Sequence, residues 1–150
     1  MLRRALLLLS VALPLAALDL LHKATATTEE WAYHPRGPGW ITMSAVIALG
    51  CLALTRIPST VVAAAGGVLA AGAVGNGIAA ISWERGIPNP LVVDLGHALI
   101  AFNVADLVTL AGILLLMIAL SSVTIRNRAL LLPPHEFARM LWRRVRPSQQ

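Results

Sequence analysis

An apolar run from about Gly96 to Ser122 carries Asn103 and Asp106 in its interior, and few features restrict a chain more. The run exceeds the roughly 20 apolar residues that a helix needs to cross a bilayer. On a helix, two residues three apart share a face. Aspartate at mid-membrane is unfavourable by at least about 2.5 kcal/mol, so that face must look into a helix bundle or a wet cavity. An ionisable side chain at such depth is by default a functional-site candidate.

Composition agrees. Of 150 residues, 57% are hydrophobic and 13% charged, against about 25% charged in soluble domains. These proportions exclude an ordinary soluble enzyme and predict one integral membrane domain over residues 1–150. In that setting the formal net charge of +5 is a topology signal, and no nucleic-acid partner is expected. The lone cysteine, Cys51, excludes an internal disulfide and a cysteine metal cluster. It falls mid-span, where a buried packing thiol is expected.

The patterning predicts an all-α membrane protein with four transmembrane helices, at about 3–21, 40–57, 60–82 and 97–122. The first span opens like a cleavable signal peptide, but its apolar run reaches Leu21 with no clean Ala-x-Ala site after it, so it is expected to be retained. Residues 24–39 form a loop, with Trp31, Tyr33 and Trp40 suited to an interfacial aromatic belt. The turn at Arg56–Ser59 leads to an Ala- and Gly-rich span in which Gly66 with Ala70, and Gly67 with Ala71, have the small-xxx-small spacing that lets helices approach closely. A second polar loop covers 83–90. Leu91–Gly96 follows a proline, has paired β-branched residues and ends at glycine, which predicts a short extended segment on the outer face. In the tail, 126–150, Phe137, Leu141 and Val145 recur opposite arginines. This predicts an amphipathic cytoplasmic helix lying on anionic membrane lipids.

Four spans put both termini and the 55–59 turn on one side. That side holds Arg3, Arg4, Arg56, Arg126, Arg128, Arg139, Arg143, Arg144 and Arg146, nine of the twelve cations, and is therefore cytoplasmic. Six of the seven acids (Asp19, Glu29, Glu30, Glu84, Asp94, Asp106) fall at or toward the outer face. Any chemistry belongs there.

The polar residues expected at that boundary are Asp19 and Lys23, which are i,i+4 in the favoured order, Asn76, and Asp94 with Asn103 and Asp106. Two aspartates close together in a partly desolvated site share a proton, giving one acid and one base that activates water. On one straight helix Asp94 and Asp106 would lie about 18 Å apart. A pair therefore requires Leu91–Gly96 to be non-helical and to fold back over the mouth of the last span. No metal or organic cofactor is expected: His22 and His34 lack a tight ligand spacing, and Asp94 with His97 is the one metal alternative.

In these residues the chain resembles the lipoprotein signal peptidases (signal peptidase II), four-span aspartic proteases of bacterial membranes. Asp19-Leu-Leu-His-Lys23 is similar to their Asp-x-x-(Ser/Thr)-Lys motif, Gly72-Ala-Val-Gly-Asn76 to their Gly-Ala-x-Gly-Asn run, Val92-Val-Asp94 to their Val-Val-Asp, and Phe102-Asn-Val-Ala-Asp106 to their Phe-Asn-x-Ala-Asp. The resemblance covers residues 19–106. It implies Asp94 and Asp106 as the catalytic pair and a bacterial plasma-membrane location. The substrates it implies are lipid-modified prolipoproteins, cut just before the lipidated cysteine. Asn76 and Asn103 would orient carboxylates or substrate backbone, and Asp19 and Lys23 would organise the outer end. The family's Asn-x-Gly-x-Phe element has no counterpart here, and the Asp-Arg pair after its Asn is replaced by Ala79-Ala80.

The alternative is a non-catalytic four-helix membrane protein, an inactive relative or scaffold, whose buried Asp and Asn are assembly glue. A proton-coupled carrier would also use Asp106, but the spans show no inverted repeat.

Overall fold

Three helices are long and apolar enough to cross a membrane: α1 (Leu2–Thr25), α3 (Thr60–Ser82) and α4 (Val104–Arg126). A fourth, α2 (Pro38–Leu54), is apolar but only 17 residues long, about 25 Å at 1.5 Å per residue. The computed structural model describes residues 1–130 and 133–145, together forming a mostly helical chain. Arg146 lies outside the described residues, as do the side chains of Leu141, Arg143, Arg144 and Val145. The chain forms two compact units, Met1–Leu120 and Ser121–Gln150. The second contains a helix, α5 (Pro134–Val145).

In the first unit α3 is the central element, and its small residues are the reason. Its buried positions include Ala63, Gly66, Gly67, Ala70, Ala71, Gly75 and Asn76. A Cβ at Gly67 would sit 2.7 Å from the Leu8 carbonyl oxygen of α1, and one at Gly66 would touch Leu8 and Cys51 of α2. The small-xxx-small spacing thus admits α1 and α2 on adjoining faces of α3, and Cys51 is buried there. On α4 the buried residues are Ala105, Gly112 and Ala119. Gly112 meets the Leu69 backbone, where a Cβ would come within 2.5 Å. Outward, α1 and α4 expose Leu6, Leu13, Leu21, Leu110, Leu114, Met117 and Ile118. Helices apolar on their outer faces as well as their inner ones match a hydrocarbon surround.

The two ends of this unit are closed differently. At one end Arg4 Nε donates to the Thr55 carbonyl at 2.7 Å, placing a cation on the C-terminal carbonyls of α2. Ser59 Oγ accepts from Val62 N and caps α3. At the other end the two polar loops pair: β1 (Tyr33–His34) runs antiparallel to β2 (Ile87–Pro88). Gly86 makes this possible. Its φ of +102° is left-handed, and a Cβ would lie 2.5 Å from His34 backbone carbon.

β3 (Leu91–Asp94) then forms an antiparallel hairpin with β4 (Leu99–Phe102), in the register Leu91↔Phe102 to Asp94↔Leu99. The extended segment is therefore present. The last helix, however, starts at Val104, not near residue 97. The apolar stretch Leu99–Phe102 satisfies its backbone in strand pairing with 91–94, and Asn103 stops the strand and opens the helix.

Candidate functional site

Asp19 and Lys23 lie one turn apart on α1, and both are buried. Lys23 Nζ donates to Asp19 Oδ2 at 2.6 Å and to Asn76 Oδ1 of α3 at 2.7 Å. The second oxygen, Asp19 Oδ1, accepts the Ala105 N–H at 2.7 Å. That N–H belongs to the first turn of α4, where free amides and the helix dipole favour an anion. Asp19 thus ties α1 to α4. Gly75 leaves it room, because a Cβ there would stand 2.6 Å from Asp19 Oδ2.

Asp106 completes the chain on the other side of Asn76. Asn76 Nδ2 donates to Asp106 Oδ1 at 2.8 Å. Asp106 Oδ2 accepts the Asn103 N–H and Asn103 Oδ1 accepts the Asp106 N–H, each at 3.1 Å. This reciprocal arrangement is a capping box with Asn and Asp in place of Ser and Glu. Asn103 Nδ2 then donates to Asn89 Oδ1. Asn89 Nδ2 meets His34 Nδ1, and Asn89 N donates to Ala32 O at 3.2 Å. Seven side chains from three helices and two loops form one continuous hydrogen-bonded chain.

His34, Arg36, Trp40, Asn76, Asn89, Asn103 and Asp106 enclose a polar cavity of about 20 Å³, enough for one water and too small for a peptide backbone. Arg36 stacks over Trp40 at 4.5 Å in the wall of this cavity.

Asp19, Lys23, Asn76, Asn103 and Asp106 are thus brought together. Asp94 is not. It is exposed at the tip of the β3–β4 hairpin, where its Oδ1 accepts the Gly96 N–H at 2.7 Å. Three residue steps separate it from the Leu91↔Phe102 pair at the base, roughly 10 Å along the strands. Leu91–Gly96 is non-helical, as the expected pair requires, but it pairs back on 99–102, and Asp94 does not line the cavity that holds Asp106. The group beside Asn103 in the cavity is Asn89. Neither Asn89 nor His34 stands out in the sequence as a site residue. A buried amide between two prolines was the only available signal, and only the pairing of distant loops gives it meaning. Among the described residues no three His, Cys, Asp or Glu side chains cluster.

Comparison with family models, curated proteins and solved structures finds no match to the chain.

Proposed function

We propose that this chain is an intramembrane aspartic endopeptidase of the signal peptidase II type, cutting lipid-modified prolipoproteins at the outer face of a bacterial plasma membrane. The carrying observation is convergence. Three stretches chosen for their likeness to that family, 19–23, 72–76 and 102–106, meet in one buried polar chain around Asp106. Buried polar residues in a bundle pair in any case; what supports this reading is that the partners fall within the motif stretches. All four apolar helices span the membrane in this reading, with both termini cytoplasmic. The Arg4–Thr55 bond at one end and the paired loops at the other support that topology. Catalysis then requires the hairpin to swing Asp94 onto Asp106 when substrate binds, a closure of the kind that completes many active sites. The two carboxyls would share a proton, and the ionised one would draw a proton from the attacking water.

A second reading, a non-catalytic relative that binds without cutting, is favoured by one specific observation: the resting site holds Asp106 with Asn89, not with Asp94. Cleavage of a lipidated prolipoprotein by purified protein in detergent decides between them. The peptidase reading expects cutting before the lipidated cysteine, abolished in folded Asp94→Asn and Asp106→Asn variants. Inert wild type, beside an active peptidase control on the same substrates, selects the non-catalytic reading. Activity lost with Asp106→Asn but kept with Asp94→Asn would overturn the pair.

A further inference from the structure

The hydrogen bonds from α4 to the outer loop all point one way. Asp106 N–H donates to Asn103 Oδ1, Asn103 Nδ2 donates to Asn89 Oδ1, and Asn89 Nδ2 faces His34 Nδ1. An asparagine Nδ2 is only a donor and its Oδ1 only an acceptor. The Asp106 N–H can only donate, so it sets the direction of the whole chain, and at the far end His34 Nδ1 is left to accept. Asn89 and Asn103 are 4% and 1% exposed, so neither amide can turn to water if its partner changes.

We infer that His34 and Asn89 form a directional hydrogen-bond relay that positions Asp106 through the Asn103 cap. If the group at position 34 donated instead of accepting, Asn89 would have to invert, presenting its Nδ2 to Asn103. Asn103 would have to invert in turn, presenting its own Nδ2 to the Asp106 N–H. Two donors would then face each other, and the cap would open. Asn76 Nδ2 and the Asn103 N–H hold the Asp106 carboxylate itself, so an opened cap frees the Asp106 backbone N–H and loosens the first turn on which that carboxylate is carried. His34 and Asn89 are positioning residues here, acting through Asn103. They also couple Asp106 to the loop that carries Arg36 and leads into Trp40 of α2, because β1–β2 pairing and the Asn89 N–H to Ala32 O bond fix that loop to the same asparagine. The charged and titratable groups sharing the cavity with His34 are Arg36 and Asp106. That Asp106 is a working carboxylate rests on the function proposed above. The direction of the relay does not.

The test uses the full chain in detergent micelles, with His34→Gln, His34→Leu and Asn89→Leu variants. Glutamine offers Asn89 an acceptor, while leucine at 34 leaves its amide unpaired and leucine at 89 removes both links. Amide hydrogen exchange is read in peptides covering 102–108, with peptides from the middle of α3 reporting folding. The expected result is wild-type protection for His34→Gln and at least about tenfold faster exchange at 102–108 for both leucine variants, with α3 unchanged. Equal exchange for Gln and Leu at position 34 would overturn the relay, whether both are protected or both open. Should a leucine variant lose α3 protection as well, His34→Gln against His34→Lys gives the same comparison. In that case equal exchange again overturns the relay, and faster exchange in the lysine variant alone supports it. On a lipidated prolipoprotein, the leucine variants are expected to lose about tenfold in kcat with KM little changed, as misplaced catalytic groups do, and His34→Gln is expected to restore it. An inert wild type with the predicted exchange pattern would remove the peptidase reading and leave the relay standing.

Discussion

Asn103 and Asp106 cap each other: each backbone N–H donates to the other's side chain at 3.1 Å. The pair that marks this chain out in sequence therefore does a structural job first. It ends β4, starts α4 and fixes the Asp106 rotamer, leaving Oδ1 for Asn76. A carboxylate held in this way is preorganised, which both a catalytic and a purely structural site would need.

Replacing Asn103 by Ala removes the cap and strands the Asn89 carbonyl. Loss of a side-chain cap is worth roughly 1 kcal/mol, and an unsatisfied buried partner adds about 1–3 kcal/mol. Asn103→Ala is expected to lower the midpoint of thermal unfolding in detergent well beyond Asn127→Ala, whose side chain bonds only to the Val123 carbonyl in an exposed position. Equal midpoints would mean that the buried chain contributes nothing.

The Asp19–Lys23 pair makes a sharper case. Their side chains are 1% and 0% exposed, so removing one partner leaves a charge without water. Breaking such a pair destabilises by about 3–5 kcal/mol, whereas replacing both partners by apolar groups is often near neutral. Lys23→Met alone is expected to unfold far more readily than wild type. Asp19→Leu with Lys23→Met should recover part of the loss, limited by the Ala105 N–H and Asn76 groups it leaves unpaired. A double-mutant cycle in denaturant reads the coupling directly. Additive single effects would contradict the geometry.

Glycines of α2 and α3 separate close approach from mere composition. A Cβ at Gly67 would collide with the Leu8 backbone, whereas nothing lies within 4 Å of one at Gly50. Gly67→Ala should destabilise by about 1–3 kcal/mol through overpacking. Gly50→Ala should be neutral or stabilising by up to about 1 kcal/mol, the helix-propensity gain. Thermal unfolding of the two variants side by side checks the α1–α3 contact without reference to any function.

Much of this arrangement is legible in sequence, and the illegible part has physical causes. Apolar runs give the helices, i,i+4 spacing gives Asp19 with Lys23, and small-residue spacing gives the faces of α3. The start of α4 is missed because Leu99–Phe102 is a short apolar run, which a strand or a helix accommodates equally well. Its pairing with 91–94 is a tertiary fact. Yet the correction has a local sign: Asn103 followed three residues later by Asp106 has the form of a capping box, which marks a helix start and not a helix interior. Asn89 and His34 carry no comparable mark. They lie in different loops, and only the β1–β2 register brings them together.

The position of Asp94 is the last matter a measurement can decide, and cysteine crosslinking suits it. Directly opposed strand residues have Cα atoms about 4.5–5.5 Å apart, inside the range a disulfide spans. Cys51 is the chain's lone cysteine and buried, so Cys51→Ala gives a clean background. In that background Asp94→Cys with Leu99→Cys is expected to oxidise readily, because these positions face each other at the hairpin tip. Asp94→Cys with Asp106→Cys should remain reduced in the resting protein. The double variant cannot cut substrate, so adding a lipidated prolipoprotein tests closure alone. If a 94–106 disulfide then appears, the hairpin carries Asp94 to Asp106 on binding, as the peptidase requires. If the substrate binds and no such bond forms, Asp94 stays at the tip and the site binds without cutting.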